Sequence, residues 1–170
     1  MPGFNIENFK ANFEGGARSY LFYYIPRYPG GVSDGGQDIT YLVRTTSLPE
    51  TTLEETIVNW QGFDFKFAAK NTFADFVVTF NVDKDAKVRK LFENWMTKIH
   101  NPETNEFAKA SEYMIAQRIQ LLDYDGSVVM QYVLHHAWPK SITAITLDYA
   151  STEVAQFDVN FSYAYHTIED

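Results

Sequence analysis

Apolar side chains recur at every second residue through most of this chain and at helical spacing only once. That contrast limits the fold more than any other feature. Near the C-terminus Phe157, Val159, Phe161, Tyr163 and Tyr165 alternate with Gln156, Asp158, Asn160 and Ser162. A period of two is that of a strand with one face in a core and the other toward water or a polar partner. Phe63, Phe65 and Phe67 alternate with Asp64 and Lys66 in the same way and predict another half-buried strand. Phe76, Val78 and Phe80 predict a third. Between residues 83 and 99 the rhythm changes. Val88, Leu91, Phe92, Trp95, Met96 and Ile99 fall at the spacing of one stripe on an amphipathic helix. Asp83 is placed to cap it, Asp85 to favour its dipole, and His100-Asn101-Pro102 to end it.

The remaining elements follow from β-branched and aromatic content between turn residues. Strands are expected over 19–25, 38–46, 55–60, 63–69, 73–82, 113–123, 128–136, 142–149 and 154–166. Gln61-Gly62 and Asp125-Gly126 mark hairpin turns, the second a strong Asp-Gly signal. Trp138-Pro139 predicts a bend, because proline cannot donate to a ladder. A short helix is expected from about 5 to 13, ended by Gly15-Gly16. Residues 29–36 hold four glycines and a proline, so about 28–38 reads as a loop. Consecutive strands with tight turns favour antiparallel pairing. The expected fold is mainly β: two packed antiparallel sheets forming a barrel, with one flanking α-helix at about 83–99. One domain spans 1–170, with an arm over about 47–62 that either projects from the barrel or folds back on its own core.

Little in the chain points to chemistry. The 170 residues include no cysteine, which removes disulfides, thiolate metal sites and cysteine nucleophiles. Hydrophobic residues make up 45%, enough for a packed core rather than disorder. The net charge of −8 argues against a protein that grips nucleic acid, since phosphate binding needs a basic face. His135 and His136 are adjacent in an expected strand and point to opposite faces, and His100 and His166 sit at element ends, so no metal site is expected. No nucleophile motif or phosphate loop is present, because Gly30-Gly31 and Gly35-Gly36 lead into neither Lys-Ser/Thr nor a helix. Neither an enzyme nor a cofactor is expected. The first residues do not read as a secretory signal, and no apolar run approaches the roughly 20 residues of a membrane helix. A ligand-binding barrel lined by its many Tyr and Phe residues is the alternative that composition leaves open.

Short stretches then line up in order along the chain: Ala17-Arg18, Leu21-Phe22, Thr46-Ser47-Leu48-Pro49, Asn71-Thr72-Phe73-Ala74-Asp75-Phe76 and Val77-Val78-Thr79. They continue with Lys90-Leu91-Phe92-Glu93-Asn94-Trp95, Ala137-Trp138-Pro139-Lys140, Leu147-Asp148-Tyr149 and Gln156-Phe157-Asp158-Val159. In that order and spacing the sequence resembles the tail-tube proteins of T4-like contractile phages. The resemblance implies hexameric rings stacked into a hollow tube that conducts DNA and tape-measure protein. It further implies contacts with sheath, baseplate and tail-terminator proteins, a place in the virion, and assembly in the host cytoplasm. Tube subunits of type VI secretion and phage-like bacteriocin systems are the neighbouring alternative. The resemblance places subunit and ring contacts in the 47–62 segment, with Leu48, Pro49, Ile57, Val58 and Trp60. A second set is implied around Phe4, Ile6 and Phe9. The glycine-rich 28–38 stretch departs from the family pattern.

Overall fold

A strand persists only where a second strand satisfies its backbone, and the structure sorts the expected strands by that test. The computed structural model describes residues 5–32 and 39–169. After a helix α1 (Ile6–Phe13), β1 covers Phe22–Ile25. A short 3-10 turn (Ile39–Leu42) leads into β2 (Val43–Thr46), where the sequence reading expected one strand over 38–46. Asp38 and the rest of 33–38 lie outside the described residues, as does Phe4. Next come β3 (Thr51–Trp60), β4 (Phe63–Phe73), β5 (Phe76–Asn81) and the long helix α2 (Lys87–Ile99). Two short pieces, β6 (His100–Asn101) and β7 (Glu106–Phe107), pair with each other before a single helical turn, α3 (Ala110–Tyr113). The chain ends with β8 (Gln117–Leu122), β9 (Val128–His135), β10 (Trp138–Ile142), β11 (Gln156–Ser162) and β12 (Tyr165–Glu169).

Two four-stranded antiparallel sheets result, ordered β1-β8-β9-β12 and β10-β11-β5-β2. Among the described residues they remain separate ladders that share one core. Tyr24, Ile119 and Leu134 enter it from the first sheet; Phe76, Val78, Phe80, Phe157, Val159 and Phe161 enter from the second. The stripe of α2 closes this interior. Phe92 lies 5.1 Å from the Phe80 ring and 5.9 Å from Phe161, and the Trp95 indole donates to the Tyr113 carbonyl at 3.1 Å. Buried aromatic pairs of this kind add to the area they remove from water. Buried Gln117 is satisfied as well: its Oε1 accepts from the Tyr24 hydroxyl at 2.6 Å, and its Nε2 donates to the Arg27 carbonyl at 2.9 Å.

The expected flanking helix is present, though it starts at Lys87 rather than near 83. The N-cap position is Ala86, with φ of 52° and no side-chain cap, and not Asp83 as expected; Asp83 reaches the helix start from the preceding turn, its Oδ1 accepting the Val88 amide at 3.2 Å. Burial pushes the Asp83 carboxyl up, but the amides of Lys87 and Val88 outweigh that, and its pKa ends below the ordinary carboxylate value.

Several strand expectations change, and β1 begins at Phe22 rather than 19. The expected 142–149 strand is absent. The ladder with β11 ends one residue after Ile142: the Thr143 amide donates to the Asp158 carbonyl at 2.9 Å, and the Thr143 side chain takes over by accepting the Asp158 amide at 2.8 Å. Pro139 lies in edge strand β10, where the register with β11 shifts between Pro139 and Ser141, the kind of irregularity that bends a strand, and a separate turn precedes it at His136 with φ of 56°. The 154–166 run is two strands, because the chain steps at Tyr163-Ala164 from one sheet to the other, leaving Tyr163 in the core and Tyr165 exposed. The expected 113–123 strand is shorter, β8 beginning only at Gln117.

Candidate assembly surfaces

The largest departure from the sequence reading is the β3–β4 hairpin. Gln61 and Gly62 adopt φ of 50° and 85°, the pair of positive values that lets a two-residue turn match the right-handed twist of its strands. Trp60 pairs with Phe63, Val58 with Phe65 and Thr56 with Phe67. Directly opposed residues share a face, so one side of the ribbon carries Val58, Trp60, Phe63, Phe65 and Phe67. The other carries Asn59, whose amide donates to Asp64 at 2.7 Å, and Lys66, which pairs with Glu55 at 3.1 Å. Those exposed polar contacts add little stability. Every residue from 51 to 71 is exposed; Phe63 keeps 70% and Trp60 64% of its surface in solvent.

The alternation of Phe63, Phe65 and Phe67 therefore marks an apolar face, as expected, but not one buried in this subunit. The arm is also longer than 47–62, running from Thr51 to Phe73. Leu48 and Pro49 lie at its root, between β2 and β3. Ile57 pairs with Lys66 on the polar side, so the structure separates it from Val58 and Trp60. Phe63, Phe65 and Phe67 were missed as candidate contacts; their signal was the register set by the Gln61-Gly62 turn.

The root is fastened by His166. Its Nε2 lies 3.1 Å from the Thr51 hydroxyl, and its ring meets Phe73 and Tyr132 edge-on at 5.3 and 5.4 Å. Burial lowers the pKa of His166, favouring the neutral imidazole. The Tyr163 hydroxyl and the His166 Nδ1 are buried there without a hydrogen-bond partner among the described residues.

A second exposed apolar element is α1. Asn5 caps it by accepting the Glu7 amide at 3.0 Å, and Phe9 stacks on Phe13 at 5.2 Å. None of its residues is buried, and Ile6, Phe9 and Phe13 form an outward stripe. Glu14, Gly15 and Gly16 follow with φ of 44°, 87° and 65°. Arg18 then ties the chain to the exposed turn between β8 and β9, donating to the Tyr124 hydroxyl. The loop between β10 and β11 exposes Leu147 and Tyr149 in addition. At the start of the glycine-rich segment Tyr28 packs on Trp95 at 6.4 Å, and Lys98 donates to the Gly30 carbonyl. Among the described residues no three His, Asp or Glu side chains converge as metal ligands.

A family model described as phage tail tube protein matches residues 8–169. The chain belongs to that family. Tail tube protein gp19 of Enterobacteria phage T4 is 26% identical over 134 residues, covering 76% of this chain and 82% of gp19. Its counterpart in Enterobacteria phage T6 is 27% identical over the same shares. In fold, the tail tube chain resembles a chain of the sheath/tube terminator structure of an extracellular contractile injection system (TM-score 0.68, 14% identity, 90% of this chain and 96% of that one). It resembles a chain of the anti-feeding prophage baseplate as well (TM-score 0.64, 15% identity, 87% and 90%). The exposed surfaces of this tail tube protein are thus carried by a chain whose family builds tubes.

Proposed function

We propose that the chain is the repeating subunit of a contractile-phage tail tube: residues 1–170 act as one unit, six copies close a ring, and rings stack into a conduit for DNA and tape-measure protein. The observation that carries this is the hairpin with a continuous aromatic face open to solvent. A monomer that kept such a face bare would be prone to aggregation, whereas a second subunit covering it makes the face a bond. Ring closure also pairs the free edges of the two sheets.

Ile6 and Phe9 on α1, Leu48 and Pro49 at the hairpin root, and Ile57, Val58 and Trp60 on the hairpin are the proposed subunit and ring contacts. Phe4 joins them as a sequence-level proposal. Sheath, baseplate and terminator proteins are the proposed partners on the outer wall and at the tube ends, and the role is structural rather than catalytic. The particle would assemble in the host cytoplasm. Electron microscopy of the purified full-length chain tests the reading, with six-fold rings or tubes as the expected result. A protein that stays monomeric at high concentration, even with sheath and baseplate proteins present, overturns it.

A further inference from the structure

Two bare apolar surfaces of matching size stand on this chain, and neither covers the other. The helix α1 buries none of its residues, and every residue of the hairpin from 51 to 71 is exposed. We infer that they cover each other between copies: the Ile6-Phe9-Phe13 stripe of one subunit seats on the Val58/Trp60/Phe63/Phe65/Phe67 face of another. The inference rests on the tube reading above and names which surface meets which.

The dimensions agree. At about 1.5 Å per residue the stripe from Ile6 to Phe13 is about 10 Å long. At about 3.4 Å per residue the face from Phe67 to Phe63 is about 14 Å long. A helix of 8 residues is too short to be stable alone and needs a surface to fold against. The hairpin face is flat, regular and aromatic, a fit platform for a helical stripe and rich in the residue types that anchor interfaces. The exposed Leu147 and Tyr149 lie on an irregular loop and offer no comparable plane.

The connection keeps the stripe turned outward. Glu14, Gly15 and Gly16 adopt positive φ and close the helix end, the Glu14 amide donating to the Lys10 carbonyl at 3.0 Å and the Gly16 amide to the Phe13 carbonyl at 2.8 Å, while Arg18 is tied to Tyr124. Stacking is a head-to-tail relation in which two different patches of one molecule meet on successive copies. One stripe and one face per chain satisfy that stoichiometry.

The chain has no cysteine, so introduced thiols report cleanly. Full-length Phe9→Cys and Phe65→Cys chains, one carrying a mass tag, are co-assembled with excess unmodified chain and treated with a short bis-maleimide. A covalent dimer containing one of each is expected. Replacing Phe65→Cys by Ile57→Cys, on the opposite side of the ribbon, should reduce the product to the level of cysteine-free chain. Equal yields from the two positions within tubes overturn the inference and leave the tube reading intact. So does cross-linking within a single chain when both thiols are placed in one molecule. A second pair of variants guards against thiols that disturb assembly. Phe9→Leu with Phe13→Leu should form tubes. Phe9→Asp with Phe13→Asp should keep the melting temperature of the unmodified chain and form none; tubes of normal length from the Asp pair sink the inference. Failure of the unmodified chain to form tubes sinks the tube reading itself.

Discussion

His166 is the residue through which solution pH reaches the hairpin root. Burial holds its pKa below the ordinary value of 6.5, so the unfolded chain binds a proton that the folded chain resists. Stability contributed by the neutral ring is complete above the unfolded value and is lost as pH falls through and below 6.5. Thermal melts from neutral to mildly acidic pH should show this slope in the unmodified chain and a flatter one in His166→Phe. Asp83 acts in the carboxylate sense, its contribution disappearing only at lower pH, as its depressed pKa is crossed. Asp83→Ala should cost about 1 kcal/mol in urea unfolding, the usual worth of a helix cap. That Asp83 serves the helix start was legible, because a short acceptor before a helical stripe is a local signal; that Ala86 and not Asp83 takes the N-cap position was not. Gln117 was not: its partners Tyr24 and Arg27 are about 90 positions away in sequence, and nothing near it announces burial.

At the scale of elements the hairpin and α2 make opposite predictions. Trp60 touches solvent on the free subunit, so Trp60→Ala should leave folding stability within about 0.5 kcal/mol while shortening tubes seen by microscopy. Phe92 is fully buried among Phe80, Phe157 and Phe161, so Phe92→Ala should cost about 3–5 kcal/mol and show in the melt before any assembly assay. Deleting residues 52–60 should weaken stacking without unfolding the two sheets; normal tubes from that variant would remove the arm from assembly. Helical spacing identified the buried side of α2 because one domain core was there to receive it. The same logic misplaced Phe63, Phe65 and Phe67, since alternation reveals that a face is apolar and not which molecule covers it. The 142–149 segment failed for a related reason. Its residues suit a strand, but strands are made by partners, and the last backbone bond to β11 is made by Thr143.

Across the whole molecule, charge sets a further condition on assembly. In the proposed ring, six copies of a chain carrying −8 would bring −48 together, so repulsion would oppose association. Raising ionic strength until the Debye length falls from about 30 to about 8 Å should lower the concentration at which tubes appear, measured by sedimentation. A requirement for less protein at low salt would contradict that account. Substituting lumen carboxylates by lysine should slow DNA passage, and unchanged ejection would remove charge from the explanation. The two-sheet architecture with a flanking helix was readable from period alone, whereas the chain's step between sheets at Tyr163-Ala164 was not, because both sheets face one core and the alternation runs through it. That core also receives the hairpin directly. The strand β4 passes into β5 with only Ala74-Asp75 between them, and β5 is the strand held on both sides, by β11 and β2. If the arm joins rings as proposed, a pull on it runs along β5 and loads its two antiparallel ladders together in shear, so within each subunit the force that the interface side chains receive is passed on through backbone hydrogen bonds.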